Sequence, residues 1–136
     1  MNVGVLKQQL VQHEGLRLKP YKDTVGRLTI GVGRNLDDVG ISEAEAMFLL
    51  ESDIASVTAD LNRVFPWWQD MTENRQLVLA DMVFNLGISR FLGFKDTLAA
   101  MQEGRYDDAA KAMLDSKWAK QVGRRAITLA NMMKEV

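Results

Sequence analysis

Two carboxylates and a hydroxyl stand where they could serve bond cleavage by proton transfer. Eight residues separate Glu14 from Asp23, and five more separate Asp23 from Thr29. Hydrolysis of a glycosidic bond needs such a set: one carboxylic acid protonates the leaving oxygen, and a second carboxylate prepares a water or the anomeric carbon. A hydroxyl that both donates and accepts can help to hold that water. By residue type alone the alternative stays open. Two acids near a loop often make only a solvated pair, and a β-branched Thr suits any strand.

Other chemistries are excluded more firmly. The 136 residues contain no Cys, and His13 is the only histidine. Thiol catalysis, Cys-based zinc sites and a disulfide scaffold are therefore absent. Gly31-Val-Gly33 lacks the third Gly and the Lys-Ser/Thr of a phosphate loop; glycines in a strand here suit close approach of a polymer to the backbone. A net charge of −1 offers no global attraction to nucleic acid or an anionic membrane. The charge is unevenly spread, with five acids and one base in 42–65 and five bases and one acid in 117–136. A basic C-terminal patch of this kind faces solvent or an anionic polymer.

These groups must be positioned by their surroundings. Val3, Leu6, Leu10 and Val11 recur at helical spacing over Val3 to His13, and Gly15 suits the end of that helix. From Leu16 to Val39 the texture is that of a small antiparallel hairpin or meander, turning at Asp23-Thr-Val-Gly26. Ser42-Glu-Ala-Glu45 is a capping box heading a helix over 42–64, about 34 Å long. Its stripe is Ala46, Leu50, Ile54, Val57, Leu61 and Val64. A second helix, from the Thr72 cap to Gly87, is apolar on nearly all sides and so predicts a buried central helix. Shorter helices are expected near 94–102, 105–115 and 124–135, with a turn around Ser116–Gly123. Trp67, Trp68 and Trp118 suit a core or its rim better than sugar stacking. The expected class is α+β in one domain: a β-containing lobe near 14–58, a helical lobe near 1–13 and 59–136, and a cleft between them.

The run Glu14-Gly-Leu-Arg-Leu-Lys-Pro-Tyr-Lys-Asp23-Thr-Val-Gly-Arg-Leu-Thr29-Ile-Gly-Val-Gly33 resembles the signature of the T-even bacteriophage lysozymes, family 24 of the glycoside hydrolases. That pattern is Glu, eight residues, Asp, five residues and Thr, followed by Ile-Gly-x-Gly. Asp81-Met-Val-Phe-Asn-Leu-Gly87 is similar to the family's central helix. Asp107-Asp-Ala-Ala110 and Ser116-Lys-Trp118 are similar to its C-terminal region. The resemblance implies that Glu14 is the general acid, that Asp23 is general base or electrostatic partner for water, and that Thr29 helps to hold the water. It places Phe84 and Asn85 at the sugar, Asn85 towards an acetamido group, in addition to Gly33, whose bare backbone suits close approach of the polymer. It offers Arg124 or Arg125 as the partner of Glu14.

Two departures stand out. Arg34 occupies the place after Gly-x-Gly where many members have His, so any bond made there must be made by a longer, permanently charged group. The connection between hairpin and long helix is also short for the family. The implied activity is hydrolysis of the β-1,4 bond between N-acetylmuramic acid and N-acetylglucosamine in peptidoglycan, with inversion, by a phage or prophage endolysin. No metal, cofactor or nucleic acid is implied. The expected state is a monomer without membrane insertion: it would be made in the host cytoplasm and reach the periplasmic wall through a holin-type pore. A lytic transglycosylase and a non-catalytic lysozyme-like wall-binding or structural protein are the alternatives. The intact Glu14, Asp23 and Thr29 weigh against both.

Overall fold

The computed structural model describes residues 1–135, and the chain divides into a unit of Met1–Phe48 and a second from Leu49 onward. The first opens with helix α1 (Val3–Glu14), whose N-terminus is capped by the Asn2 side chain accepting from Val5 N at 3.0 Å. It ends at Gly15, where the sequence places its end. There φ is +82° but ψ is 166°, so the chain leaves the helix in an extended, glycine-only conformation rather than a left-handed turn. None of the α1 residues is buried. By its contacts α1 groups with the sheet, whereas the sequence places 1–13 with the helices and the division near 58.

Strands β1 (Arg17–Lys22), β2 (Leu28–Gly31) and β3 (Arg34–Asn35) form an antiparallel meander in the order β1-β2-β3. Tyr21 pairs with Thr29, and Thr29 with Asn35. The register shifts between Arg17 and Tyr21, the stretch holding Pro20, which cannot donate to a ladder. Thr29 lies on the middle strand and is 3% exposed. It is the one fully buried residue among the described residues of this unit.

Helix α2 (Glu43–Val64) starts in the first unit and carries the expected capping box: Glu45 N donates to Ser42 Oγ at 3.1 Å, and Ser42 N donates to Glu45 Oε1 at 2.9 Å. Its stripe behaves differently from expectation. Val57 and Leu61 are buried, but Leu50 and Ile54 are exposed. An apolar stripe is buried only where other elements pack on it, and here that begins at Val57.

The second unit continues through a 3-10 turn (Pro66–Asp70) into α3 (Glu73–Leu86), α4 (Ile88–Phe91), α5 (Lys95–Gln102), α6 (Tyr106–Leu114), α7 (Lys117–Val122) and α8 (Arg124–Lys134). One core joins Leu61, Val78, Leu79, Met82, Phe91, Met113 and Met133, each with no exposed surface. Trp118 is buried, and Trp67 and Trp68 pack against that core, as their residue type suggests. Helix α3 is not buried on all sides: Leu77 is 49% and Phe84 46% exposed. The turn expected around Ser116–Gly123 is instead α7, because Ser116 caps it by accepting from Ala119 N at 3.2 Å. Among the described residues no helix is long and apolar enough to cross a membrane.

Candidate active site

Helix α1 and the meander bring one carboxylate into a specific seat. Glu14 is the last residue of α1 and is exposed. A Cβ built on Gly33 would lie 2.8 Å from Glu14 Oε2, 3.2 Å from its Cδ and 3.4 Å from its Cβ. The carboxyl therefore rests on the bare backbone of the β2–β3 turn, in space that any side chain at 33 would fill. Gly33 also has φ +67°, which favours glycine independently. The sequence assigns Gly33 to close approach by the sugar polymer; the structure adds the Glu14 carboxyl as the group nearest its open face. At Gly31 (φ +71°) nothing lies within 4 Å of the added Cβ.

Asp23 and Thr29 are joined through one intervening residue. Asp23 Oδ1 accepts from Val25 N at 3.0 Å and from Arg27 N at 2.8 Å. This is the Asx-type closure that makes Asp a turn residue. Gly26 N donates to the Asp23 carbonyl at 3.0 Å and completes the turn. Thr29 Oγ1 donates to the Arg27 carbonyl at 2.8 Å. Asp23 thus holds the N–H of Arg27 and Thr29 holds its C=O. The second Asp23 oxygen has no protein partner among the described residues. With its proton committed to Arg27, the Thr29 hydroxyl keeps only acceptor capacity.

The loop after β3 is fastened more heavily than its length suggests. Arg34 forks onto Glu45, with Nη1 to Oε1 at 2.8 Å and Nη2 to Oε2 at 2.7 Å, and Nη1 also donates to the Gly40 carbonyl at 3.2 Å. The Arg34 fork, helped by the two bonds with Ser42, holds the Glu45 carboxyl down at about 2. Asp37 Oδ2 accepts from Leu28 N at 2.7 Å, tying the loop to β2. In the sequence Glu45 is a cap and Arg34 a departure from the family pattern, and the fork between them is a contact that neither motif specifies. Opposite charges at the two ends of a short loop are the signal that links them.

The remaining candidates belong to the second unit. Phe84 lines a shallow apolar cavity of about 300 Å³ with Leu50, Ile54, Val57, Leu77 and Ala80. Asn85 Oδ1 accepts from Trp118 Nε1 at 2.8 Å. An indole N–H only donates, so this bond orients the amide and leaves its NH₂ group to donate elsewhere. Arg125 is held by Asp81, with Nε and Nη2 at 2.9 and 2.6 Å from Oδ1. Arg124 forms no ion pair among the described residues. No group of three or more His, Cys, Asp or Glu is placed to hold a metal among the described residues.

Comparison with known proteins shows the family. The phage lysozyme family model matches residues 11–134, a span that includes every candidate residue. The chain is 35% identical over 118 residues to an endolysin of Acyrthosiphon pisum secondary endosymbiont phage 1, covering 84% of this chain and 78% of that one. It is 27% identical to a probable T4-type lysozyme of Dictyostelium discoideum, covering 91% and 90%. It is also 32% identical to the pre-baseplate central spike protein Gp5 of Enterobacteria phage T4, over 89% of this chain. There it spans only 26% of the relative's length. With three antiparallel strands and eight helices among the described residues, and with this coverage, the chain belongs to the phage lysozyme family and is an enzyme of the lysozyme type.

Proposed function

We propose that this lysozyme is a phage endolysin that hydrolyses the β-1,4 bond between N-acetylmuramic acid and N-acetylglucosamine in peptidoglycan. Glu14 is the general acid, and Asp23 and Thr29 prepare the water. The observation that carries the mechanism is the shared grip of Asp23 and Thr29 on Arg27. It leaves two acceptors, the free Asp23 oxygen and the Thr29 hydroxyl oxygen. A water that donates its two hydrogens to them presents a lone pair to the anomeric carbon. Asp23 takes the proton as the C–O bond forms, while Glu14 delivers its own proton to the departing oxygen.

Attack by a held water inverts the anomeric centre. A carboxylate nucleophile would retain it through two displacements, and Thr29 would then have no task. The free NH₂ of Asn85 donates to the acetamido oxygen of a bound sugar, and Phe84 offers it an apolar face. The enzyme acts as a monomer, needs no cofactor, and passes from the host cytoplasm to the wall through a holin-type pore.

The test is anomer-resolved NMR of the first products from peptidoglycan fragments, run beside Glu14→Gln. The α anomer and a reducing end are expected from the parent, with almost no turnover by the folded Glu14→Gln protein. A β anomer would remove the water-holding pair from the mechanism, and anhydro-muramic ends would make the enzyme a transglycosylase. The similarity to a spike protein supports a second reading, the wall-cutting domain of a larger particle component. Release of turbidity by the free chain acting on permeabilised Gram-negative cells favours the endolysin. Activity confined to assembled particles favours the spike.

A further inference from the structure

Arg34 sits next to the glycine on which the Glu14 carboxyl rests, and that adjacency has a mechanical consequence. The β2–β3 turn is held on one side by β2. On the other it has β3, two residues long and paired through Thr29–Asn35 and Ile30–Arg34, followed by two bonds to Leu28, from Leu36 N to its carbonyl and from its N–H to Asp37 Oδ2, each at 2.7 Å. A strand of two residues cannot hold a turn by ladder bonds alone. The six residues that follow, Leu36 to Ile41, contain Gly40 at φ +65° and run directly to the cap of α2. The Arg34 fork closes this segment by gripping both Glu45 in the first turn of α2 and the Gly40 carbonyl. A bidentate guanidinium–carboxylate pair is directional, so it fixes orientation as well as distance.

We propose that Arg34 is a positioning residue for catalysis: its grip on Glu45 and Gly40 fixes the Gly33 backbone and thereby the seat of the Glu14 carboxyl. The capped end of α2 is the rigid anchor, since Glu45 is bonded to Ser42 as well as to Arg34. Releasing Arg34 frees the turn, and Glu14 loses the surface against which it is aligned. Binding of the glycan elsewhere on the enzyme is unaffected. The loss therefore falls on kcat rather than on KM. The rate effect rests on the reading of Glu14 as the acid; the seating does not.

The experiment uses the full chain and the variants Arg34→Met, Arg34→Lys, Glu45→Gln and Gly33→Ala. Each is checked by thermal melting and assayed well below its midpoint. Arg34→Met should lower kcat by about 10- to 100-fold, the scale of a misaligned catalytic group, with KM within about twofold. Glu45→Gln keeps an oxygen for Ser42 while losing the charge, so it tests the grip with the helix cap retained and should move kcat in the same direction. Arg34→Lys restores the charge without the fork and should recover only part of the rate. Arg34→Met together with Gly33→Ala should cost less than the product of the two, because both unseat one group.

The ¹³C carboxyl signal of Glu14, assigned by its absence in Glu14→Gln, is read in parallel and should shift in Arg34→Met. An unmoved Glu14 signal in folded Arg34→Met overturns the seating. A moved signal with unchanged kcat upholds the seating and overturns Glu14 as the acid.

Discussion

Thr29 shows how much one hydroxyl can be asked to do. It is the best-buried residue of its unit, a place where Val would pack equally well, yet it carries a polar atom bonded to the Arg27 carbonyl. Thr29→Val keeps the branched shape and the strand while removing both that bond and the proposed water acceptor. Activity should fall by about 10²-fold, in the range of a positioned proton-transfer contribution, while the melting temperature changes little. Full activity of Thr29→Val in a wall-lysis assay would show that the water is held by another group. Gly33→Ala tests the neighbouring seat. Its methyl would stand 2.8 Å from Glu14 Oε2, closer than atoms tolerate, so the carboxyl must move away. A loss of about 10²-fold in kcat is expected, comparable with a displacement near 1 Å.

At the level of elements, the head of α2 links stability to pH. Glu45 has its carboxyl lowered from 4.5 to about 2, first by the Arg34 hydrogen bonds and then by Ser42. A depressed carboxyl stabilises the fold above its ordinary value, and that contribution is lost as pH falls from about 4.5 towards 2. The melting temperature of the parent should therefore drop across this window, and in Glu45→Gln the drop should be smaller. Glu45→Gln should also melt lower at neutral pH, since the pair is missing at the outset. Parallel melting curves for the two proteins from pH 6 to 2.5 would exclude Glu45 as a source of acid sensitivity. The pair is nearly half exposed, so salt should weaken it. Helix α8 is secured differently. Arg75 is buried, donates to the Met133 carbonyl at 2.8 Å, and stacks over Tyr106 at 3.5 Å. The positive charge meets the negative end of the helix dipole.

For the whole molecule, apolar burial is lopsided. Every buried apolar side chain among the described residues, from Val57 to Met133, lies in the second unit. The first unit is held by turns, caps and ion pairs around Thr29. Stability should follow this division. Leu79→Ala, at a position with no exposed surface, should cost about 2–5 kcal/mol in urea unfolding. Amide exchange should be slowest in α3, α6 and α8 and faster in the meander and α1. Equal protection across the two units would contradict the burial pattern.

Much of the site was legible in the residues because its determinants are local. The Asp23 turn closes over four residues, the Ser42–Glu45 box over three, and Gly15 ends α1 at its own φ. Each is a contact between near neighbours whose types and spacing suffice to specify it, and the Glu14, Asp23 and Thr29 spacing rides on these same elements. Helix α7 is also local, since Ser116 supplies its cap, but at six residues it is too short to show a helical periodicity. What the tertiary structure decided are the partners that spacing does not name. The Glu14 carboxyl fills the empty face of Gly33, nineteen positions away. Arg34 reaches eleven residues to Glu45, Trp118 thirty-three to Asn85, and Arg125 forty-four to Asp81. Periodicity likewise marked Leu50, Ile54, Leu77 and Phe84 as apolar without saying that they would stay exposed. A stripe records what a helix is able to bury, and only the packing of other elements determines how much of it is covered.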